Sequence, residues 1–246
     1  MNVCAADLHV HTALSPCAEN DMTPPAIVRR ALAEGLGMIA VCDHNSARNA
    51  AAVQEAAGTR LAVLAGLEIT TVEECHVVAL FPDAEAAQAV GAEVGATLGQ
   101  VEGGYETFFG EQHVLAADGS ERAPETLALA TATTLDVDAV VRLVHGHGGL
   151  AIAAHIDRRS FGVIGQLGLF PADAGFDALE LSRHVAPGSP DAAQFAVHGL
   201  PLVHSSDAHY LSDIGAVHTV VRCERPTFAE IVLALAGAHG RSVGDA

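Results

Sequence analysis

The sequence predicts an α/β fold built on a mostly parallel sheet, open or closed into a barrel, in a single domain over residues 1–246. Short apolar runs of β character alternate with helical patterns from end to end. Half of the 246 residues are hydrophobic, enough for a sizeable core. Glycine, proline and serine are not gathered into any linker, so one domain is the simpler organisation.

The elements follow in order. Cys4 to His9 reads as a first strand. Thr23 caps a helix with Pro24 at its first position, Ile27, Val28, Ala31 and Leu32 on one face, and Gly35 at its end. Gly37 to Asp43 is continuously apolar, as a strand covered on both faces should be. An alanine-rich helix spans about 47–57, and Leu61 to Leu67 and His76 to Phe81 are strands. Val137, Val140, Val141 and Val144 recur at helical spacing before Gly146. Leu150 to Ala154, Ala178 to Leu181, Pro201 to Ser205 and Ala216 to Val221 complete the strands. The last helix carries Phe228, Ile231, Val232 and Leu235, with Thr227 and Glu230 spaced as a capping box. Between about 99 and 134 the alternation lapses. Asp118-Gly119 gives a hairpin signal there, and the stretch reads as an excursion from the core, or a lid.

Composition removes several classes. Apolar content rules out disorder, and 24 glycines with 10 prolines rule out a coiled coil. No apolar run approaches the roughly 20 residues of a membrane helix, and the start of the chain lacks a signal core, so a cytoplasmic location and no membrane partner are expected. Twelve basic against 30 acidic residues give a formal charge of −18, from which no duplex nucleic-acid partner is expected. The five scattered cysteines contain no CxxC pair and do not describe a disulfide scaffold. GxGxxG, GxxxxGK[ST] and GxSxG signatures are absent.

The positions of the 14 histidines carry the functional argument. His9 and His11 are two apart at the end of a strand, so both imidazoles face one side. Asp43-His44 ends the second strand and Glu68 the third. His76 opens the fourth, His155 ends a later one, and Asp207 and His209 follow Val203-His-Ser-Ser. Carboxyl ends of parallel strands share one rim, so separate segments deliver imidazole and carboxylate to one patch. Such donors suit zinc, manganese or iron, and eight of them exceed the needs of one ion. Two or three divalent ions are expected. A multinuclear site polarises an ester oxygen and supplies hydroxide at neutral pH, which suits displacement at phosphorus.

The motifs Asp7-Leu-His9-Val-His11-Thr12, Cys42-Asp43-His44, Gly66-Leu-Glu68, Ala154-His155 and Ser206-Asp207-Ala208-His209 resemble the PHP superfamily, named for polymerase and histidinol phosphatase. The resemblance implies a distorted seven-stranded β/α barrel of TIM-like type, a trinuclear metal centre at the C-terminal rim of the strands, and phosphoesterase activity. It implies His9, His11, His44, Glu68, His76, His155, Asp207 and His209 as ligands. Many members place a histidine or aspartate shortly after the HxH pair; here Ser15-Pro16-Cys17 stands there, which makes Cys17 a candidate thiolate ligand favouring zinc.

Asp7 is read as orienting a ligand imidazole, and Asp43 as doing the same or shuttling a proton. Arg158, Arg159 and Arg183 are candidate phosphate clamps. His145 and His147 suit a helix carboxyl end without metal. The expected substrate is a small phosphorylated metabolite, a nucleotide or a short oligonucleotide. Two rivals are an amidohydrolase-like metal hydrolase, disfavoured because no lysine candidate stands at a strand end, and a catalytically silent metal-binding module.

Overall fold

The computed structural model describes residues 1–244. In chain order its elements are β1 (Asn2–Val10), α1 (Pro24–Ala33), β2 (Met38–Val41), α2 (Ala50–Ala57), β3 (Ala62–Thr70), β4 (His76–Phe81), α3 (Ala84–Gly95), α4 (Tyr105–Phe109), α5 (Val137–Gly146), β5 (Leu150–Ala153), α6 (Val163–Leu167), β6 (Ala178–Leu181), α7 (Pro190–Ala193), β7 (Leu202–His204), β8 (Thr219–Cys223), α8 (Phe228–Leu235) and β9 (Ser242–Gly244). The strands form one sheet in the order β7-β6-β5-β4-β3-β2-β1-β8-β9. Among the described residues nine strands thus replace the seven expected.

The sheet is mixed rather than mostly parallel. β1–β2, β2–β3, β5–β6 and β6–β7 pair parallel, whereas β3–β4, β4–β5, β1–β8 and β8–β9 pair antiparallel. Only five residues separate β3 from β4, too few for a parallel crossover. The reversal has a consequence for the site. Because β4 runs backwards, its first residue, His76, pairs with Thr70 at the rim where the parallel strands end.

The sheet curls until it is nearly closed. Past β7, Ala208 bridges Val10 in parallel register, with His11 N donating to Ala208 O at 3.0 Å and Ala208 N to His9 O at 3.3 Å. Lower down, Thr219 Oγ1 accepts from His204 N (2.8 Å) and donates to His204 O (2.9 Å), joining β8 to β7.

Strand alternation sorts the core into two layers. Cys4, Ala6, Leu8, Met38, Ala40, Leu64, Val78, Leu80, Ile152, Ala178 and Val203 form the inner cluster, joined by Ile231 and Ala234 of α8. Ile39, Val41, Leu67, Ile69, Val77, Phe81 and Leu179 point the other way and pack under the helices. Toward the rim the inner rows turn polar at the same parity: Leu64 leads to Glu68, Val78 back to His76, and Ala178 to Glu180. In β1 the register against β2 slips between Asp7↔Ile39 and Val10↔Val41, a β-bulge that sets Leu8 and His9 opposite the single residue Ala40. The extra residue reverses the parity, so His9 and His11 face inward above Leu8 while Val10 packs outward.

The helix signals hold in part. Thr23 precedes α1 but its side chain makes no capping bond, leaving Pro24 to fix the start. The capping box is one-sided: Thr227 accepts from Glu230 N, while the Glu230 carboxylate accepts from Glu224 N and pairs with Arg241. Sequence patterning assigns no element to 84–95, which forms α3. Its alanines give no broad apolar face, and only Ala87, Val90, Val94 and Gly95 are buried, below an Asp83 cap on Ala86 N.

The 99–134 excursion packs Val114 and Leu129 on Leu14 and contains α4. Its hairpin signal marks a real turn, with Leu115 bridging Glu121 and Ala116 N donating to Ser120 O at 2.8 Å. Among the described residues no helix is long and apolar enough to cross a membrane.

Candidate metal centre

His9, His11, His44, Glu68, His76, His155, Asp207 and His209 meet at one end of the sheet. His9 Nε2 and His11 Nε2 are 3.1 Å apart, and His11 Nε2 is 3.1 Å from Asp207 Oδ1. Glu68 Oε1 lies 3.5 Å from His9 Nε2, 2.8 Å from His76 Nδ1 and 3.2 Å from His155 Nε2. Its Oε2 lies 3.0 Å from His44 Nδ1 and 3.5 Å from His11 Nε2. Three donor groups with metal-ligating spacing result: His9, His11, Glu68 and Asp207; His44, Glu68 and His76; and His11, His44 and His209. Glu68 belongs to two of them, as a bridging carboxylate would. His155 and Asp207 hold φ of 28° and 50°, left-handed values that cost a non-glycine residue energy and recur at functional sites.

The hydrogen bonds around the imidazoles fit a metal. His9 Nδ1 lies 3.1 Å from both Glu180 oxygens and donates to them. Ser15 Oγ donates to Asp43 Oδ1 (2.8 Å) and therefore accepts from His11 Nδ1 at 2.8 Å. Both Nδ1 atoms carry the proton by this inference, leaving both Nε2 atoms for the shared space. Glu68 Oε2 is buried there without a hydrogen bond, and His155, whose Nε2 faces Glu68, has its Nδ1 buried likewise. Burial would raise Glu68, but His76, His9 and His44 hold its carboxyl well below the usual range. Burial would lower His9, yet Glu180, Glu68 and Asp207 raise it well above its usual value. His11, buried and beside His209, is pushed well down. A divalent cation between the two Nε2 atoms would supply the positive charge that Glu68 and Asp207 favour there.

Cys17 is the one exposed cysteine among the five, and its thiol lies beside His44 and His209. Desolvation opposes ionisation, but His44 and His209 outweigh it and bring the thiol to about 6. Cys17 thereby adjoins the His11, His44 and His209 group.

The two aspartates fasten loops rather than touching an imidazole. Asp7 accepts from Ser206 N (3.0 Å), Ser206 Oγ (2.6 Å) and Gly215 N (2.9 Å), which fixes the segment carrying Asp207 and His209. Asp43 accepts from Thr12 N, Thr12 Oγ1 and Ser15 Oγ, and reaches His11 only through Ser15. The residue that orients His9 is Glu180, which sequence reasoning passed over. Its signal was available: a single charge inside the four-residue apolar strand Ala-Leu-Glu-Leu. Ser15 and Phe161 were also passed over; Phe161 stacks on His76 with ring centroids 4.5 Å apart.

The arginines separate. Arg158 NH1 donates to Asp207 Oδ2 at 2.6 Å, directly on the centre. Arg183 instead pairs with Asp213 Oδ2 at 2.6 Å. Arg159 lines a shallow cleft of about 350 Å³ with Arg158, Ser160 and Phe161. His145 and His147 pair with Asp177 and Glu93 away from the centre, each at 2.9 Å.

The sequence matches the family described as PHP domain over residues 7–166 and that described as PHP-associated over 192–237. The chain belongs to the PHP family. No curated protein matches it. Among solved structures it is similar to the lesion-specific endonuclease PfuEndoQ from Pyrococcus furiosus, at 18% identity and a TM-score of 0.72, covering 98% of this chain and 58% of that one. The chain thus spans little more than half the length of that neighbour. A second structure, of endonuclease Q with a 27-mer duplex substrate bearing an abasic lesion at the active site, matches at 19% identity and a TM-score of 0.71, with the same coverage of 98% and 58%. A protein from Bifidobacterium adolescentis, assigned as a metal-dependent phosphoesterase, matches at 22% identity and a TM-score of 0.58, covering 95% and 96% of the two chains. The duplex complex overturns the expectation that no duplex nucleic acid is a partner. Net charge is a property of the whole surface, whereas a duplex answers to the field at the site.

Proposed function

We propose that this chain is a metal-dependent phosphoesterase whose substrate is a phosphorylated metabolite, a nucleotide or an oligonucleotide. The carrying observation is Glu68, a buried carboxylate whose two oxygens face histidines of two donor groups at once. In this reading His9, His11, Glu68 and Asp207 would hold one ion, Glu68, His76 and His155 would face a second, and His44, His209 and Cys17 would be left for a third, so that each imidazole serves one ion. Zinc, manganese and iron all suit these donors, and when bound they supply Lewis acidity and a nucleophilic water.

The chain's own groups do the rest. Glu180 and Ser15 fix the tautomers of His9 and His11. Asp7 and Asp43 hold the loops bearing the other donors. Arg158, with one guanidinium nitrogen on Asp207, presents its remaining N–H groups to the equatorial oxygens of a bound phosphoester. An amidohydrolase-like site with a bridging lysine is not available, because the sequence contains no lysine.

Metal analysis followed by turnover of p-nitrophenyl and bis-p-nitrophenyl phosphate, nucleotides and an abasic-site duplex, with manganese or zinc, tests the proposal. Metal-dependent hydrolysis of at least one ester is expected. Stoichiometric metal with no turnover across the panel would mean a silent binding module instead.

A further inference from the structure

We propose that the excursion beside the centre builds a subsite for the planar base of a nucleoside phosphoester, which stacks on Phe108 and Phe109. This rests on the phosphoesterase reading and narrows its substrate class. The chain has only eight phenylalanines, two tyrosines and no tryptophan, yet two of these rings sit side by side in solvent. Phe108 is 81% exposed and Phe109 37%, with centroids 4.7 Å apart in an edge arrangement. They line a cleft of about 390 Å³ together with Tyr105, Ala128 and Thr131.

Two tethers connect this cleft to turns that carry candidate ligands. Gly110, directly after Phe109, lies so close to the Pro16 carbonyl that a Cβ would stand 1.8 Å from its oxygen, and its φ of 103° excludes most side chains anyway. Pro16 leads into Cys17. On the other side, Thr131 O accepts from Asn45 Nδ2 at 3.0 Å, and Asn45 follows His44. The cleft therefore has two walls, at Phe109 and Thr131, tied to the turns that carry Cys17 and His44. It is also preordered: Tyr105 OH donates to Gln112 Oε1 (2.9 Å) and accepts from Ala130 N (2.8 Å), pinning α4 beneath its rings.

Charge says which part of a substrate enters. No arginine lines the cleft and Glu102 does, so the phosphate is repelled and a neutral ring is accepted. Exposed aromatic rings are a usual platform for a single unpaired base.

The test compares thymidine 5′-(p-nitrophenyl phosphate) with methyl p-nitrophenyl phosphate, which share a leaving group, in the wild type and a Phe108→Ala/Phe109→Ala variant. The ratio of their kcat/KM values should fall about tenfold in the variant, through KM. An unchanged ratio, or equal losses on both esters, overturns the proposal. Quenching of 2-aminopurine riboside 5′-monophosphate on binding gives a readout free of turnover. Strong quenching in the wild type that is lost in the variant supports stacking; no quenching, or quenching that survives, refutes it. Failure of both esters with quenching intact would sink the phosphoesterase reading and leave the subsite standing. A variant that still binds the nucleotide as the wild type does assigns the aromatic pair to a protein partner.

Discussion

Removing the Glu180 carboxylate tests how the centre is held. Glu180→Ala leaves two buried donors without an acceptor, His9 Nδ1–H and the His155 backbone N–H, which now lie 3.1 Å from its oxygens. Both residues are almost fully buried. An orphaned buried donor costs about 1–3 kcal/mol, so the pair costs about 2–6 kcal/mol before any cavity is counted. The imidazole also loses the group that fixes its orientation, and loss of such a partner typically weakens metal binding about 10–100-fold. Two measurements read these terms separately: urea unfolding of the metal-stripped protein, and zinc affinity by competition with a chromogenic chelator. Glu180→Gln retains one acceptor oxygen and should recover part of both losses. It also stays readable if the alanine variant does not fold. Wild-type stability together with wild-type zinc affinity in both variants would refute the role assigned to Glu180.

Other consequences follow from the same geometry. Alkylation of the metal-free protein by iodoacetamide should occur at Cys17, since the other four thiols are buried, with a midpoint near pH 6; zinc should block it, and His209→Ala should move the midpoint toward the ordinary value of about 8.5. His76, lowered to about 4 by burial against the attraction of Glu68, stays neutral in the fold while its unfolded form takes a proton near about 6.5. Its contribution to metal-free stability is full above pH 6.5 and is lost as the pH falls toward 4, so a His76→Gln variant should show a flatter unfolding-against-pH curve over that window. Arg158→Ala should raise KM for phosphoesters about tenfold or more with little change in bound metal; equal KM, or loss of metal instead, assigns Arg158 to holding Asp207 alone.

Much of the centre was legible because donors at strand ends are unusual and because the sheet end collects them. The HxH pair shows why legibility stopped short of geometry. Spacing by two says that His9 and His11 share a face, but not which face. That depends on the bulge after Asp7, and nothing in Asp-Leu-His-Val-His marks an extra residue against Ala40. Likewise the sequence places His76 at the start of its strand, and it is the five-residue link from β3, by forcing β4 to run backwards, that brings this start to the rim. Glu180 was hidden for a different reason. A charge within an apolar strand needs a buried partner, but that partner, His9, is 171 positions away. Only the fold brings the two together.

Charge was the least reliable guide, and the structure shows why. The count of −18 includes Glu68, Asp207 and Glu180, which are buried among histidines and contribute little to the field seen by an approaching anion. Two or three divalent ions would add roughly four to six positive charges at that same point. All twelve basic residues are arginines, and Arg158 stands on the rim with its guanidinium already aimed at the centre. With those ions bound, a phosphate group would meet a positive focus set in an acidic surround, the reverse of what the sum implies. The acidic surround weakens long-range attraction and the ions govern the last few ångströms, so such a site selects by fit at the centre rather than by the general affinity that a basic surface gives.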